Sequence, residues 1–331
     1  MGNKSFFGTR TGEEFLNYTF ETMSIITSHK DVVMSIILLK DGRIASASID
    51  KTIKIFDCDT YECIMSMSGH TRGIECIIQV ESEQIVSCAN DKSIRVWSLS
   101  LTDYECLHTC EDAHKSPINK IIELTNGKIA SCSFDLTIKI WNLFPQFFEL
   151  MELTGNTSFI NSIIYLTCFG LNHIVSGTSN EVLVFSPNSP QYQTKIAENI
   201  SCQFNNSLLV VDNTLIVGGE KQITFIKLPK YIKTGSYAVD DVEHFNALLL
   251  LDNNSILAGC NRGILYNFCL GNEKGKIVVD KNDTKNERGG HQDEMCDMVR
   301  IGYNMFASCS WDSTIRIWRY YNPNQVITGQ K

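Results

Sequence analysis

The sequence predicts an all-β chain built from seven copies of one unit. Three observations point there: a strand-like phrase recurs, a histidine stands at a constant interval before it, and the copies fill the 331 residues. The phrase is DKTIKIF at 50–56, DKSIRVW at 91–97, DLTIKIW at 135–141 and DSTIRIW at 312–318. Each is a turn residue followed by period-two alternation of apolar and cationic side chains, the pattern of a strand with one buried and one wet face.

Weaker copies fill the gap: NEVLVF at 180–185, KQITFI at 221–226 and RGILYN at 262–267. The copies end at 56, 97, 141, 185, 226, 267 and 318, spacings of 41, 44, 44, 41, 41 and 51. A period of this size marks a repeat architecture, and seven copies leave no room for a second domain. Twenty-one residues separate His29 from Asp50, His70 from Asp91, His114 from Asp135 and His291 from Asp312. Between them lie two further strand patterns, such as IECIIQV at 74–80 and EQIVSCA at 83–89, joined by a polar turn.

On these paired signatures, over residues 20–319, the chain resembles the WD-repeat family. The resemblance implies a seven-bladed WD-repeat β-propeller of four-stranded blades around a channel. It also implies a buried network of His, a second-strand Ser or Thr, the turn Asp and a third-strand Trp. The third repeat supplies His114, Ser133, Asp135 and Trp141, and the seventh His291, Ser310, Asp312 and Trp318. The first keeps His29, Ser48 and Asp50 but has Phe56; the second keeps His70, Asp91 and Trp97 but has Ala89. The chemistry is general: a buried carboxylate and imidazole must satisfy each other, and doing so ties two loops together. Repeats four to six depart from the pattern, with shorter turns and with Asn156 where the histidine is expected.

FETMSIITSH at 20–29 aligns without gaps to YECIMSMSGH at 61–70, so the N-terminal segment is expected to supply the outer strand of the last blade. Such closure leaves few free strand edges. The expected organisation is a mobile tail over 1–14, the propeller over 15–319 and a C-terminal tail over 320–331, with a solvated loop in DKNDTKNERGGH at 280–291.

Composition narrows function. No run of about 18 apolar residues is present, so no membrane span is expected, and MGNKSFFGTR lacks the apolar run of a signal peptide. Thirteen cysteines without a CxxC pair read as reduced, mostly buried thiols. The expected location is therefore cytoplasmic or nuclear, with no glycan on sequons such as that at Asn156. A net charge of −8 does not suit nucleic acid, whose affinity rests on clustered Lys and Arg. The alternating Lys54, Arg95, Lys139 and Arg316 read as blade surface.

Four of the seven histidines occupy the repeat position, so a structural role is expected of them and no metal site. Cys88, Cys132 and Cys309 fall in register on second strands and read as small core residues. GNEKGK at 271–276 is too short for a phosphate loop and lacks the following Ser or Thr. Gly2 is not expected to be acylated, because Phe6 stands where the acceptor pattern wants Ser or Thr. No cofactor, small-molecule substrate or enzymatic activity is expected.

The reading is a non-enzymatic scaffold for other proteins or peptides, as a subunit of a larger assembly. In WD-repeat proteins partners often dock on the face carrying the second-to-third strand turns. The residues before the turn Asp are Ile49, Asn90, Phe134 and Trp311; those five after each repeat His are Met34, Glu75, Asn119 and Cys296, with Asn161 as the blade-four counterpart. Aromatic residues with Met and few charges suit an interface core. The alternative is a substrate-recognition subunit of a ubiquitin ligase, against which stand the absence of an F-box before the repeats and of a WDxR ending on the strong third strands.

Overall fold

The computed structural model describes residues 18–167, 170, 172–187, 193–198, 207–240, 242–252, 255–269, 274–279 and 290–321. Twenty-eight strands form seven four-stranded antiparallel sheets. Blade 1 is Val33–Leu38, Ile44–Ser48, Thr52–Phe56 and Cys63–Ser68. Blades 2 and 3 repeat this meander from Ile74–Gln79 to Tyr104–Cys110 and from Ile118–Glu123 to Phe148–Leu153. Blade 4 runs from Ile160–Leu166 to Gln193–Glu198, blade 5 from Leu208–Val211 to Ile232–Ala238, and blade 6 from Phe245–Asp252 to Lys274–Val279.

Blade 7 takes Met295–Gly302, Met305–Ser310 and Ile315–Tyr321 from one end of the chain and Thr19–Ile26 from the other. The closing strand pairs Thr19 with Tyr321, Phe20 with Tyr320 and Ile26 with Ile315. The innermost strands contact one another in a closed ring around the central axis.

The core is divided among the seams. Each of seven apolar clusters joins two neighbouring blades, as where Ile53, Ile55 and Met67 of blade 1 pack on Ile77, Ile85 and Trp97 of blade 2. Both faces of each sheet are therefore buried, and second strands such as Ile85–Ala89 are buried at every position. Cys88, Cys132 and Cys309 lie in these seams at 0% exposure.

The seam at blade 7 has extra ties. Asp297 accepts the Ile36 N–H at 3.1 Å and the Ser35 hydroxyl at 3.3 Å across to blade 1. On the other side the Tyr18 hydroxyl donates to Asp252, and the Tyr320 hydroxyl donates to the Leu251 carbonyl at 3.3 Å.

Two sequence expectations need correction. The C-terminal boundary at 319 is too early: the strand runs to Tyr321, and Tyr320 is 3% exposed because its ring packs on Tyr18, Phe20 and Phe306. The sixth repeat is also one residue out of register. Ile256 pairs with Phe268 as Ile44 pairs with Phe56, so Phe268 and not Asn267 holds the buried slot. The expected tails at 1–14 and 322–331, and the loop at 280–289, lie outside the described residues.

Candidate functional site: the turn face and the networks beneath it

In blade 3 the His114 Nδ1 meets the Asp135 carboxylate at 2.9 Å and its Nε2 meets the Ser131 hydroxyl at 2.7 Å. The Trp141 indole N–H donates to the same hydroxyl at 2.8 Å. Asp135 also accepts the backbone N–H of Lys115 and Thr137 and the Thr137 hydroxyl. The constellation recurs as His70, Ser87, Asp91, Ser93 and Trp97, and as His291, Ser308, Asp312, Thr314 and Trp318. Blade 1 has His29, Ser46, Asp50 and Thr52, with Phe56 supplying a ring but no donor.

The network serine is thus two residues earlier than Ser48, Ser133 and Ser310, the positions expected from sequence. Residues i and i+2 share a strand face, so both serines qualify by alternation, but the deeper one reaches Nε2. Ser48, Ser133 and Ser310 instead clamp the turn, accepting the N–H of Asp50, Asp135 and Asp312 and donating to carbonyls in the facing loop. Ala89 therefore costs blade 2 only this outer clamp; its network is complete through Ser87. The Thr or Ser two residues after the Asp was missed as a member, although it stands inside the repeated phrase.

Protonation follows from the donor count. The carboxylate can only accept, so in the neutral ring Nδ1 carries the proton and Nε2 accepts from serine, which in turn accepts from tryptophan. Burial pushes the four aspartates up. The imidazole, hydroxyl and backbone donors outweigh it and hold them well below the usual carboxylate range. Burial lowers His291, so its neutral form is favoured despite Asp312.

An Asp–His–Ser chain has the connectivity of a hydrolase triad. Here the serines are 0% exposed, and those of blades 2, 3 and 7 are also held by an indole N–H, so no substrate carbonyl can reach them. The constellation positions loops.

Blades 4 to 6 solve the same problem otherwise. Asn156 takes the histidine position and accepts the Ser176 hydroxyl at 2.8 Å, while Glu181, 3% exposed, accepts the N–H and hydroxyl of Thr157. In blade 6 Ala258 stands in the slot of Ser131, and rings pack in the seam with blade 5: Phe245 meets Tyr266 and Phe268 edge-on at 5.7 and 5.6 Å.

The nine residues expected on the binding face divide. Trp311 is 42% exposed, and Met34, Ile49, Glu75, Asn90 and Phe134 are half-buried. Asn119, Asn161 and Cys296 are buried, which corrects their assignment: the inner strand carries them below the rim, where Asn119 donates to the Ile160 carbonyl of the next blade at 2.8 Å and Asn161 donates to Ser179. Asn90 donates to Glu75 at 2.5 Å, so this pair is held within blade 2. Phe134 packs on Phe159 with centroids 4.9 Å apart. Phe159, 53% exposed and absent from the sequence reading, makes this an exposed two-ring patch spanning blades 3 and 4. Among the described residues no cluster of three or more His, Cys, Asp or Glu is arranged to hold a metal ion.

Seven four-stranded blades, with the His–Asp–Ser network repeated in four of them, define a propeller whose turns are locked from beneath. The chain is a WD-repeat β-propeller: the WD40 family (WD domain, G-beta repeat) matches residues 20–57, 61–98, 104–142 and 287–319. The matches cover the four networked blades. The first three matched stretches each join the outer strand of one blade to the three inner strands of the next, and the fourth covers the inner strands of blade 7.

Similar stretches occur in mitochondrial division protein 1 of Pyricularia oryzae, 33% identical over 64 residues, 19% of this chain and 10% of that protein. Mitogen-activated protein kinase kinase kinase A of Dictyostelium discoideum is 36% identical over 61 residues, 18% of this chain and 6% of its own. WD repeat-containing protein 41 of Homo sapiens is 28% identical over 94 residues, 26% and 20% of the two chains. The alignments thus span 6 to 20% of these relatives' lengths.

Proposed function

We propose that the protein is a non-enzymatic platform that holds partner proteins or peptides on the face bearing the second-to-third strand turns, as a fixed subunit of an assembly in the cytoplasm or nucleus. One observation carries the reading: Trp311 and Phe134, the latter packed on Phe159, present aromatic surface on turns whose backbones are fixed by buried networks. Rigid aromatics lose little entropy on binding, and interface energy concentrates in a few such residues. Loops on a rigid scaffold are also where binding residues gather.

The test is quantitative cross-linking and affinity capture from the native host with Trp311→Ala and Phe159→Ala. Each is expected to weaken partner capture by roughly 30-fold, about 2 kcal/mol at 1.4 kcal/mol per decade, with little change in melting temperature. Asn126→Gly, in an exposed turn on the opposite face with φ of 63°, is the control and should leave capture unchanged. Retained partners alongside a large loss of stability would make Trp311 a packing residue and remove the reading.

A further inference from the structure

Among the described residues, Cys76 and Cys88 are the two cysteines that sheet register sets directly opposite each other. Cys132 and Cys309, in the slot of Cys88, face Lys120 and Asp297 instead. Opposed residues of an antiparallel ladder have Cα atoms about 4.5–5.5 Å apart, inside the roughly 4.4–6.8 Å window of a disulfide.

The two thiols are not equivalent. Cys76 is 5% exposed on the innermost strand of blade 2, and Cys88 is 0% exposed one strand further out. The facing Cys88 thiol and the nearby Lys120 charge hold the Cys76 thiol below its usual range despite burial, while burial pushes Cys88 well up. Their sulfurs make long contacts to carbonyls, Cys76 at 3.9 Å to Ile77 and 3.7 Å to Ile121, and Cys88 at 3.6 Å to Ile118. A thiol that ionises more readily beside one that does not is the division of labour between an attacking and a resolving cysteine.

We propose that Cys76 and Cys88 are a redox-active dithiol that hydrogen peroxide converts reversibly into a cross-strand disulfide. The Cys76 thiolate attacks the peroxide oxygen, the O–O bond breaks, and the released hydroxide takes up a proton to leave as water. Cys76 is then a sulfenic acid. Cys88 loses its proton and attacks that sulfur; the S–S bond forms, the S–O bond breaks and a second water leaves. The two sulfurs are oxidised by two electrons in all and the peroxide is reduced by two. The link would lie one residue from Glu75 and two from Asn90, and so beneath the blade-2 part of the turn face.

The test treats the full-length chain with hydrogen peroxide, alkylates remaining thiols under denaturing conditions, and maps the products by mass spectrometry. Trypsin leaves both cysteines in one peptide, between Arg72 and Lys92, so a glutamyl endopeptidase cutting at Glu81 and Glu83 is used. The expected product is a Cys76–Cys88 linked peptide pair, abolished by dithiothreitol. In Cys88→Ser a cyclic 1,3-diketone should label Cys76 as the sulfenic acid. Two results overturn the proposal: both cysteines alkylated at a peroxide dose that oxidises the exposed Cys63 and Cys106, or Cys76 linked to some other cysteine. Should Cys88→Ser fail to fold, the wild-type map alone decides.

Discussion

Blades 3 and 6 have the same strand order and closely similar registers, yet different forces hold them. In blade 3 the turn is tied down by Asp135, which gathers an imidazole, a hydroxyl and two backbone N–H groups. In blade 6 Ala258 stands in the slot of Ser131, the rings of Phe245, Tyr266 and Phe268 pack in the seam with blade 5, Phe245 edge-on to the other two, and the buried Asn246 amide finds no hydrogen-bonding partner. Apolar packing stabilises without much directionality. A saturated carboxylate network fixes the position of its members and keeps the aspartate ionised. The propeller therefore does not require the network in order to form a blade. What the network adds is a turn of defined shape on the proposed binding face, together with sensitivity to acid.

The largest expected effect concerns blade 7, which has a network and also depends on chain closure. Deleting residues 1–28 removes the strand paired with Ile315–Tyr321 and takes Tyr18 and Phe20 from their cluster. Cooperative melting should be lost, while hydrogen exchange in blade 3 is affected last. A truncated chain that melts like the intact one would show that the network alone sustains blade 7.

Within the folded protein, Asp135→Ala should cost roughly 1–3 kcal/mol by chemical denaturation, because it strands His114 and several donors in the interior. Glu181→Ala should cost less, since the Thr157 groups it frees are a hydroxyl and an N–H rather than a buried imidazole. Asp212→Asn, exposed in a blade-5 turn with φ of 49°, should be silent. Equal losses for Asp135 and Glu181 would erase the distinction between networked and substituted blades.

Acid should separate the two groups of blades without mutation. The aspartates of blades 2 and 3 have folded-state values below their unfolded ones. Their contribution is therefore complete above the unfolded carboxylate value of about 3.9 and is lost as pH falls below it. Amide exchange in the second strands of blades 2 and 3 should accelerate relative to blade 5 between about pH 4 and 2. Uniform acceleration across all three would mean that the carboxylates are not what distinguishes them.

How much of this was legible in sequence depends on which force writes the signal. Seven blades and the closing strand are visible because strand alternation and the 21-residue His-to-Asp interval are repeated. The choice between Ser131 and Ser133 was not visible, since both lie on one strand face and only the reach of the imidazole separates them. Phe268 was mistaken for its neighbour because blade 6 has no turn Asp to anchor the register. Phe159 escaped notice because it stands in a loop before an inner strand, outside any repeated phrase. Asn119, Asn161 and Cys296 were placed on the rim by position alone, whereas the inner strand carries them below it.

The smallest effect is also the most discriminating, because one substitution should have opposite signs in the two regions. Thr137 donates to the Asp135 carboxylate at 2.6 Å, so Thr137→Val keeps the shape but removes a charge-assisted bond, at a cost of about 1.5 kcal/mol. Thr224, in the third strand of blade 5, is 0% exposed and its hydroxyl has no hydrogen-bonding partner. An unsatisfied buried hydroxyl carries its desolvation cost uncompensated, and a methyl of the same size removes that cost. Thr224→Val should therefore leave stability unchanged or raise it by up to about 1 kcal/mol. Urea denaturation of the two single variants and the double variant measures both, and the changes should add because the sites share no partner. A loss at Thr224 as large as that at Thr137 would mean that blade 5 holds its hydroxyl in a bond of its own, and the division between polar and apolar blades would have to be redrawn.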